Sequence, residues 1–189
     1  QGLNGAGKST LLQAIMGIGP RVQGFVGYQN RSISGLPSYQ RARLGLGFVA
    51  EDRRLFTALS VRENLLVAAR APQAHARGWA ALSVARRLEQ VLTLFPALST
   101  MLERSAAQMS GGEQQMLGLA RTLMTGPTLL LLDEPCEGIA PMLVASIRDA
   151  VLELKREGMS LLVAEQNGIL AARADRVITL KAQTPLHAD

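Results

Sequence analysis

The sequence has few of the residues that form disulfides, metal centres and stacking surfaces. Its 189 residues include one cysteine, Cys136, and two histidines, so an internal disulfide is impossible and a His/Cys metal cluster is not expected. Aromatic residues are 4% of the chain, which argues against a stacking platform for single-stranded nucleic acid. The low cysteine content fits a reducing compartment, and we expect Cys136 to be a small buried residue.

Long apolar runs and dense charge blocks are also missing. Apolar runs such as TLLLLD have the length of a strand, far below the ~18–20 residues that would span a bilayer. The net charge of +5 comes mostly from scattered arginines, so nucleic acid is not an expected partner. With 48% hydrophobic residues, the chain can bury the core of a single domain.

Apolar segments and helical periodicity alternate along the chain. The predicted strands are GFVGY, LGLGFVA, TLLLLD, SLLVAE and RVITL. Between them, STLLQAIMG, SGGEQQMLGLARTLM and PMLVASIRDAVLELKREG are typical of helices. This alternation predicts an α/β fold with a mostly parallel sheet flanked by helices.

A helical segment interrupts this alternation at about residues 53–110. Ser60 and Glu63 have the spacing of a capping box that opens a helix. In SVARRLEQVLTLFP, an apolar face is predicted for Val84, Leu88, Val91, Leu92 and Phe95, with Arg86, Arg87, Glu89 and Gln90 on the opposite face. We expect Pro96 to stop this helix and Trp79 and Phe95 to lie in the core of the insertion.

The first ten residues, QGLNGAGKST, contain a phosphate-binding loop. GLNGAGKS fits the pattern G-x-x-x-x-G-K-[ST], in which glycines let backbone N–H groups turn toward phosphates. Lys8 is expected to reach the β- and γ-phosphates, and the Ser9 hydroxyl to bind Mg²⁺. The predicted ATP-binding residues are Gly2, Asn4, Gly5, Ala6, Gly7, Lys8, Ser9 and Thr10.

Two carboxylates end the most apolar strand. In LLLLDEP, Asp133 follows the apolar run and Glu134 comes next. A carboxylate at this place can help Ser9 hold Mg²⁺, and Glu134 can act as general base for an attacking water. The two motifs occur in the order that a Mg-nucleotide site requires.

The stretch MSGGEQQ precedes Asp133 and opens another helix. Ser110 and Glu113 form a capping-box pattern, and Gly111 and Gly112 leave bare backbone at the helix start. On spacing alone, an ordinary capped helix is the better interpretation. A second anion cradle becomes the stronger interpretation because the stretch lies between the two nucleotide motifs.

In that position, Ser110-Gly111-Gly112-Glu113-Gln114 resembles the signature motif of ABC ATPases. More narrowly, GFVAEDRRLFTALSVRENL, LLLLDEPCEGIAP and LLVAEQN resemble the ATP-binding subunits of branched-chain amino-acid importers. The resemblance implies ATP and Mg²⁺ as cofactors. It also implies a second ATPase subunit, identical or homologous, membrane permease subunits and, indirectly, a solute-binding protein. The protein would lie peripherally on the cytoplasmic face of the plasma membrane.

The resemblance also implies roles for individual residues. ATP would lie between the phosphate loop of one subunit and Ser110, Gly111, Gly112 and Glu113 of the other. Glu51 stands where most relatives have Gln, and we expect its loop and the helical insertion to couple to the permease. Gln166 stands where many relatives have a switch His; it can hydrogen-bond the γ-phosphate but cannot carry its proton.

Three alternatives stay open from sequence. The chain could serve a non-transport ABC ATPase acting on DNA or ribosomes, a regulatory subunit without turnover, or a urea, amide or other amino-acid importer. The family's N-terminal β-subdomain, with the adenine-stacking aromatic residue and the strand feeding the loop, has no counterpart before Gln1. We therefore expect an N-terminally truncated fragment that folds poorly and hydrolyses ATP weakly, and a full-length protein that does both.

Overall fold

Strands and helices alternate along the chain, as the hydropathy pattern predicts. The computed structural model describes residues 1–19, 23–72 and 77–181. Its helices are α1 (Lys8–Met16), α2 (Ser38–Arg43), α3 (Val61–Val67), α4 (Val84–Leu94), α5 (Pro96–Ser99), α6 (Gly111–Met124) and α7 (Pro141–Arg156). Its strands are β1 (Gly27–Tyr28), β2 (Arg31–Ser32), β3 (Leu46–Val49), β4 (Leu129–Asp133) and β5 (Ser160–Ala164). Within the described ranges, no helix has the length and hydropathy needed to cross a bilayer.

The central sheet is parallel, with strand order β3-β4-β5. Strand β4 lies between two neighbours and is buried from Leu130 to Asp133, as a continuous apolar run predicts for a central parallel strand. The predicted α/β fold with helices flanking a parallel sheet is confirmed. The predicted strand GFVGY is mostly irregular, and only its last two residues pair, as β1, with β2.

Alternate residues of β4 face different helices. Leu131 packs with Leu12 and Met16 of α1 on one side of the sheet. Leu130 and Leu132 belong to the larger core that contains α6, α7 and the helices between β3 and β4. Each of these leucines is fully buried, which stabilises the fold by about 1.5–3 kcal/mol per side chain. Strand β4 is therefore held from both faces, and its carboxyl end at Asp133 is fixed in position.

The segment between β3 and α6 is helical, with its described parts at residues 51–72 and 77–110. The predicted capping box is present: Glu63 N–H donates to Ser60 Oγ at 3.2 Å, and Ser60 N–H donates to Glu63 Oε2 at 2.8 Å. Trp79 and Phe95 are buried, as expected. Helix α4 ends before Pro96, but this proline also opens α5 because a helix tolerates proline at its first position.

Arg87 is a correction to the predicted polar face of α4. It is 1% exposed, and its Nη1 donates to the carbonyl oxygens of Arg70 at 2.7 Å and Met124 at 2.9 Å. Trp79 Nε1 donates to the carbonyl of Leu123 at 2.9 Å. The last carbonyls of a helix have no partner within it, so these two side chains cap the end of α6. Burial lowers the pKa of the Arg87 guanidinium.

The predicted strand RVITL does not form. Residues 176–180 have no regular structure, and their backbone pairs with one residue: Gln1 N donates to Ile178 O at 2.7 Å, and Leu180 N–H donates to Gln1 O at 2.8 Å. A strand requires a neighbour along its length, and a single residue does not supply one. A groove of about 630 Å³ separates this segment from the edge of β5.

Candidate functional site

Glycines in left-handed conformation shape the loop before α1. Gly5 has φ 80° and Gly7 has φ 87°, and a Cβ atom at either would meet no heavy atom within 4 Å. Glycine is therefore required for its backbone conformation rather than for space. Gly7 is also the N-cap of α1 and provides no side-chain cap, so the first N–H groups of the helix remain available to an anion.

The Lys8 side chain folds back over this loop. Its Nζ donates to the carbonyl oxygens of Gly2 at 2.7 Å and Leu3 at 3.1 Å, and it lies 3.0 Å from Glu134 Oε1. Lys8 is 6% exposed and Glu134 is 7% exposed. Two charges this buried each depend on the other, because removing one leaves the second unpaired away from water.

Ser9 and Asp133 form the next contact across the site. Ser9 Oγ donates to Asp133 Oδ1 at 3.0 Å, and Asp133 is 2% exposed. Burial raises the pKa of Asp133, and the charges of Glu51 and Glu134 raise it further, while the Ser9 hydrogen bond and Lys8 lower it. A buried carboxylate in this electrostatic setting would be stabilised by a cation.

The donor set at this contact fits Mg²⁺ held jointly with phosphates. The described residues contain no cluster of three or more His, Cys, Asp or Glu that could hold a metal alone. Mg²⁺ commonly takes one or two protein oxygens and completes its shell with water and substrate phosphates. The Ser9 hydroxyl and the Asp133 carboxylate would provide two such oxygens.

Glu134 is fixed in a strained conformation. Its φ of 44° lies in the left-handed region that non-glycine residues rarely adopt. Its N–H donates to Ala164 O at 2.9 Å, and its Oε2 accepts from the Gln166 N–H at 3.1 Å. The structure thus brings Gln166 to Glu134, but through its backbone N–H, while the Gln166 side chain is exposed.

The helix that starts after Ser110 presents a second set of donors. Glu113 N–H donates to Ser110 Oγ at 3.4 Å, and Ser110 N–H donates to Glu113 Oε2 at 2.7 Å. The backbone N–H and the side-chain hydroxyl of Ser110 both hydrogen-bond the Glu113 carboxylate, and these bonds lower the pKa of Glu113. Ser110 and Gly111 are exposed, whereas Gly112 is buried and any Cβ there would collide with Leu143.

The predicted site residues fall into two groups. In the first group, Ser9 contacts Asp133, while Lys8 and Gln166 both contact Glu134, the next residue along the chain. Across residues 1–19, 23–72 and 77–181, no hydrogen bond or ion pair joins this group to the stretch 110–113. The charge of Glu51 reaches Asp133, and its side chain is exposed in the loop after β3.

Sequence reasoning missed Glu165. This residue is 4% exposed, and its Oε1 accepts from the N–H groups of Leu170 at 2.9 Å and Ala171 at 2.7 Å. It therefore fixes the turn that carries Gln166. The available signal is an acidic residue directly after the predicted apolar strand SLLVA, at the carboxyl edge of the sheet where Asp133 also lies.

Comparison with known sequences gives consistent matches. The family profile described as ABC transporter matches residues 1–137. The chain is 40% identical over 181 residues to the high-affinity branched-chain amino acid transport ATP-binding protein BraG of Pseudomonas aeruginosa, covering 95% of this chain and 75% of BraG. It is 35% identical over 167 residues to a probable branched-chain amino acid transport ATP-binding protein, LivF, of Archaeoglobus fulgidus, covering 88% and 68%. It is 31% identical to the lipopolysaccharide export ATP-binding protein LptB of Escherichia coli K12, covering 88% and 67%.

Comparison with solved structures agrees. A nucleotide-free ATP-binding cassette from an ABC transporter superposes with TM-score 0.77 and 27% identity, covering 95% of this chain and 74% of that one. A dimeric cassette in a post-hydrolysis state, bound to ADP and phosphate, superposes with TM-score 0.78 and 25% identity, covering 96% and 79%. The fold is that of a P-loop ATPase cassette.

Proposed function

The chain belongs to the ABC transporter ATP-binding family, and on that premise we propose that it powers the import of branched-chain amino acids. Membership implies nucleotide binding and ATP hydrolysis. The observation that supports this function in the chain itself is the contact network of Lys8, Ser9, Asp133 and Glu134. The proposed cargo rests on the similarity to BraG and LivF, whose names give branched-chain amino acid transport, and the proposed direction rests on the sequence resemblance to importer subunits.

The phosphate loop would hold the triphosphate. The proposed ATP-binding residues are Gly2, Asn4, Gly5, Ala6, Gly7, Lys8, Ser9 and Thr10. Backbone N–H groups at the start of α1 would donate to phosphate oxygens, and Lys8 would exchange its present acceptors for the β- and γ-phosphates. Ser9 and Asp133 would hold Mg²⁺, which when bound neutralises phosphate charge.

Glu134 would act as the general base. In the structure one carboxylate oxygen is engaged by Lys8 and the other by the Gln166 N–H. Transfer of the Lys8 ammonium to phosphate would free Oε1 to take a proton from water, while the Gln166 N–H keeps the carboxylate oriented. The exposed Gln166 side chain would hydrogen-bond the γ-phosphate.

The second group of residues would act on a second subunit, identical or homologous. Ser110, Gly111, Gly112 and Glu113 would face the nucleotide bound by that subunit. We propose residues 53–110 as an inserted helical subdomain of a single ATPase domain. That subdomain and the Glu51 loop would contact membrane permease subunits on the cytoplasmic face. A solute-binding protein would deliver the cargo to the permease.

Reconstitution tests this function. The full-length protein, its permease and its binding protein are placed in proteoliposomes, and uptake of labelled leucine, isoleucine and valine is measured with and without ATP. ATP-dependent uptake that is lost in Glu134→Gln would support the proposal. Uptake of urea, amides or other amino acids instead would contradict the proposed cargo. Absence of any ATP-dependent uptake would contradict the importer assignment.

A further inference from the structure

Arg53 holds the loop after β3 against α6. Its Nε donates to Gln115 Oε1 at 3.1 Å, and its carbonyl oxygen accepts from Arg121 Nη2 at 3.4 Å. Its own N–H donates to Ala50 O at 3.0 Å. Gln115 is 4% exposed, so the anchor is a buried side chain. The guanidinium of Arg53 therefore has a defined position relative to α6.

The backbone at this point is strained at two adjacent residues, Arg53 and Arg54, whose side chains contact different groups. Arg53 has φ 59° and Arg54 has φ 46°, both in the left-handed region that costs non-glycine residues stability. Arg54 turns outward, and its Nε lies 3.0 Å from Asp52 Oδ1 in an exposed ion pair. Arg53 turns onto α6. Two adjacent arginines that both have positive φ thus differ in what their side chains contact.

The Arg53 guanidinium lies beside the start of α6. Its Nη2 is 3.4 Å and its Nη1 3.6 Å from where a Cβ atom on Gly111 would stand. In the part of the chain that the structure describes, neither Nη atom has a protein acceptor. A cation next to a helix N-terminus is unfavourable on its own, because the helix dipole is positive there. The arrangement becomes favourable when an anion binds both.

We propose that Arg53 contributes a cation to the terminal phosphates of a nucleotide that a second subunit brings to the Ser110–Gly112 surface. The inference rests on the proposed function and adds to it a residue that lies outside the signature motif. The planar guanidinium provides two free donors suited to phosphate oxygens. The N–H of Gly111, and the Ser110 hydroxyl once it turns from Glu113 to a phosphate oxygen, would complete the donor set on the same exposed surface.

The test uses the full-length protein with Glu134→Gln, in which ATP is bound without turnover. The dissociation constant of the ATP-dependent dimer is measured by analytical ultracentrifugation. Adding Arg53→Ala should weaken the dimer about ten-fold or more, because charge-assisted hydrogen bonds are lost, and Arg53→Lys should recover part of the loss. Arg54→Ala, the matched control, should leave the dimer unchanged. ATP binding to the monomer should be the same in all variants.

The outcomes separate this inference from the proposed function. If the Glu134→Gln parent forms no ATP-dependent dimer, either with itself or with the homologous ATPase subunit of its transporter, both are overturned. If the parent dimerises and Arg53→Ala dimerises as tightly, the Arg53 inference alone is overturned. The inference is also overturned if Arg53→Lys recovers none of the dimer affinity, or if Arg54→Ala lowers that affinity as much as Arg53→Ala does. Either result would mean that Arg53 anchors the loop and does not contact phosphate.

Discussion

The two helix N-termini proposed to bind phosphate differ in what surrounds them. At α1, Lys8 is buried and its charge is met by Glu134 within the same chain. At α6, Ser110 and Gly111 are exposed. The Lys8 ammonium at α1 is therefore satisfied within the chain until a ligand displaces its contacts, whereas the residues at the start of α6 would meet a ligand brought by another molecule.

The caps of the two helices explain part of this difference. Gly7 leaves the first N–H groups of α1 without a side-chain acceptor, so several donors are available to one ligand. Ser110 and Glu113 occupy two donors of α6 through the capping box, which stabilises the helix start and leaves fewer N–H groups for an anion. An additional cation such as Arg53 would have a larger effect at the second N-terminus.

The largest expected effect is on the α1 side. Glu134→Gln in the full-length protein should reduce ATP turnover by about 10²- to 10⁴-fold, because the general base is lost, while ATP binding is retained. Phosphate release and equilibrium nucleotide binding measure the two properties. Glu137→Gln, an exposed neighbour, is the matched control and should keep its turnover. Unchanged turnover in Glu134→Gln would remove this residue from the reaction.

Removing Lys8, the other member of the Lys8–Glu134 pair, tests whether that ion pair is buried. Lys8→Ala should lower the free energy of unfolding by about 3–5 kcal/mol, because the Glu134 carboxylate remains buried and unpaired, and should also weaken ATP binding. The double variant Lys8→Ala/Glu134→Gln should regain much of that stability. Chemical denaturation of all four proteins gives the coupling energy. Additive losses in the double variant would contradict a buried ion pair.

Sequence patterns anticipated the parts of the molecule that depend on local chemistry. The glycine turns before α1, the Ser60 and Ser110 capping boxes and the buried strand β4 each depend on residues close together in sequence, so spacing is sufficient to predict them. The helical pattern predicts the wrong environment for Arg87 because its acceptors, the carbonyls of Arg70 and Met124, lie elsewhere in the chain. A residue whose contacts are made by distant carbonyls or by a strained loop has no neighbouring residues that predict its place. Arg87 is one such residue and Arg53 is another.

A smaller effect is expected at Asp133. Its folded pKa is raised, so it contributes stability that is fully present below the unfolded pKa and is lost as the pH rises through the folded pKa. Without Mg²⁺, Asp133→Asn should therefore melt a few degrees higher than the parent at neutral pH, with the difference shrinking toward about pH 4. Thermal melts across pH measure this. A less stable variant at neutral pH would contradict the electrostatic account.

The same substitution should reduce Mg²⁺-dependent ATP hydrolysis. Asn keeps the shape of the side chain and can still hydrogen-bond Ser9, but it removes the negative charge that favours the cation. When the rate of hydrolysis is measured against Mg²⁺ concentration, the concentration that gives the half-maximal rate should be higher than in the parent. An unchanged Mg²⁺ dependence would mean that Asp133 does not hold the ion.

The smallest expected effect is a difference in thiol reactivity between the buried region around Cys136 and the exposed start of α6. Burial and the Glu165 charge raise the pKa of Cys136 to about 11, so this thiol should react slowly with iodoacetamide at neutral pH and faster as the pH rises. In a Cys136→Ser background, a cysteine placed by Gly111→Cys should react quickly and be protected by ATP. Mass spectrometry of alkylation reports both rates. Equal rates at the two positions would contradict the contrast between an enclosed and an exposed region.

The central claim is that one triphosphate is held by α1 of one copy and α6 of another. Lys8→Ala and Gly111→Asp each remove one surface, the second by placing a carboxylate where phosphate would dock. In a Glu134→Gln background of the full-length protein, each variant alone should trap no ATP. A mixture of the two should regain trapped ATP, because each mixed dimer keeps one intact pair of surfaces. A mixture that traps no more ATP than its separate components would contradict the shared site.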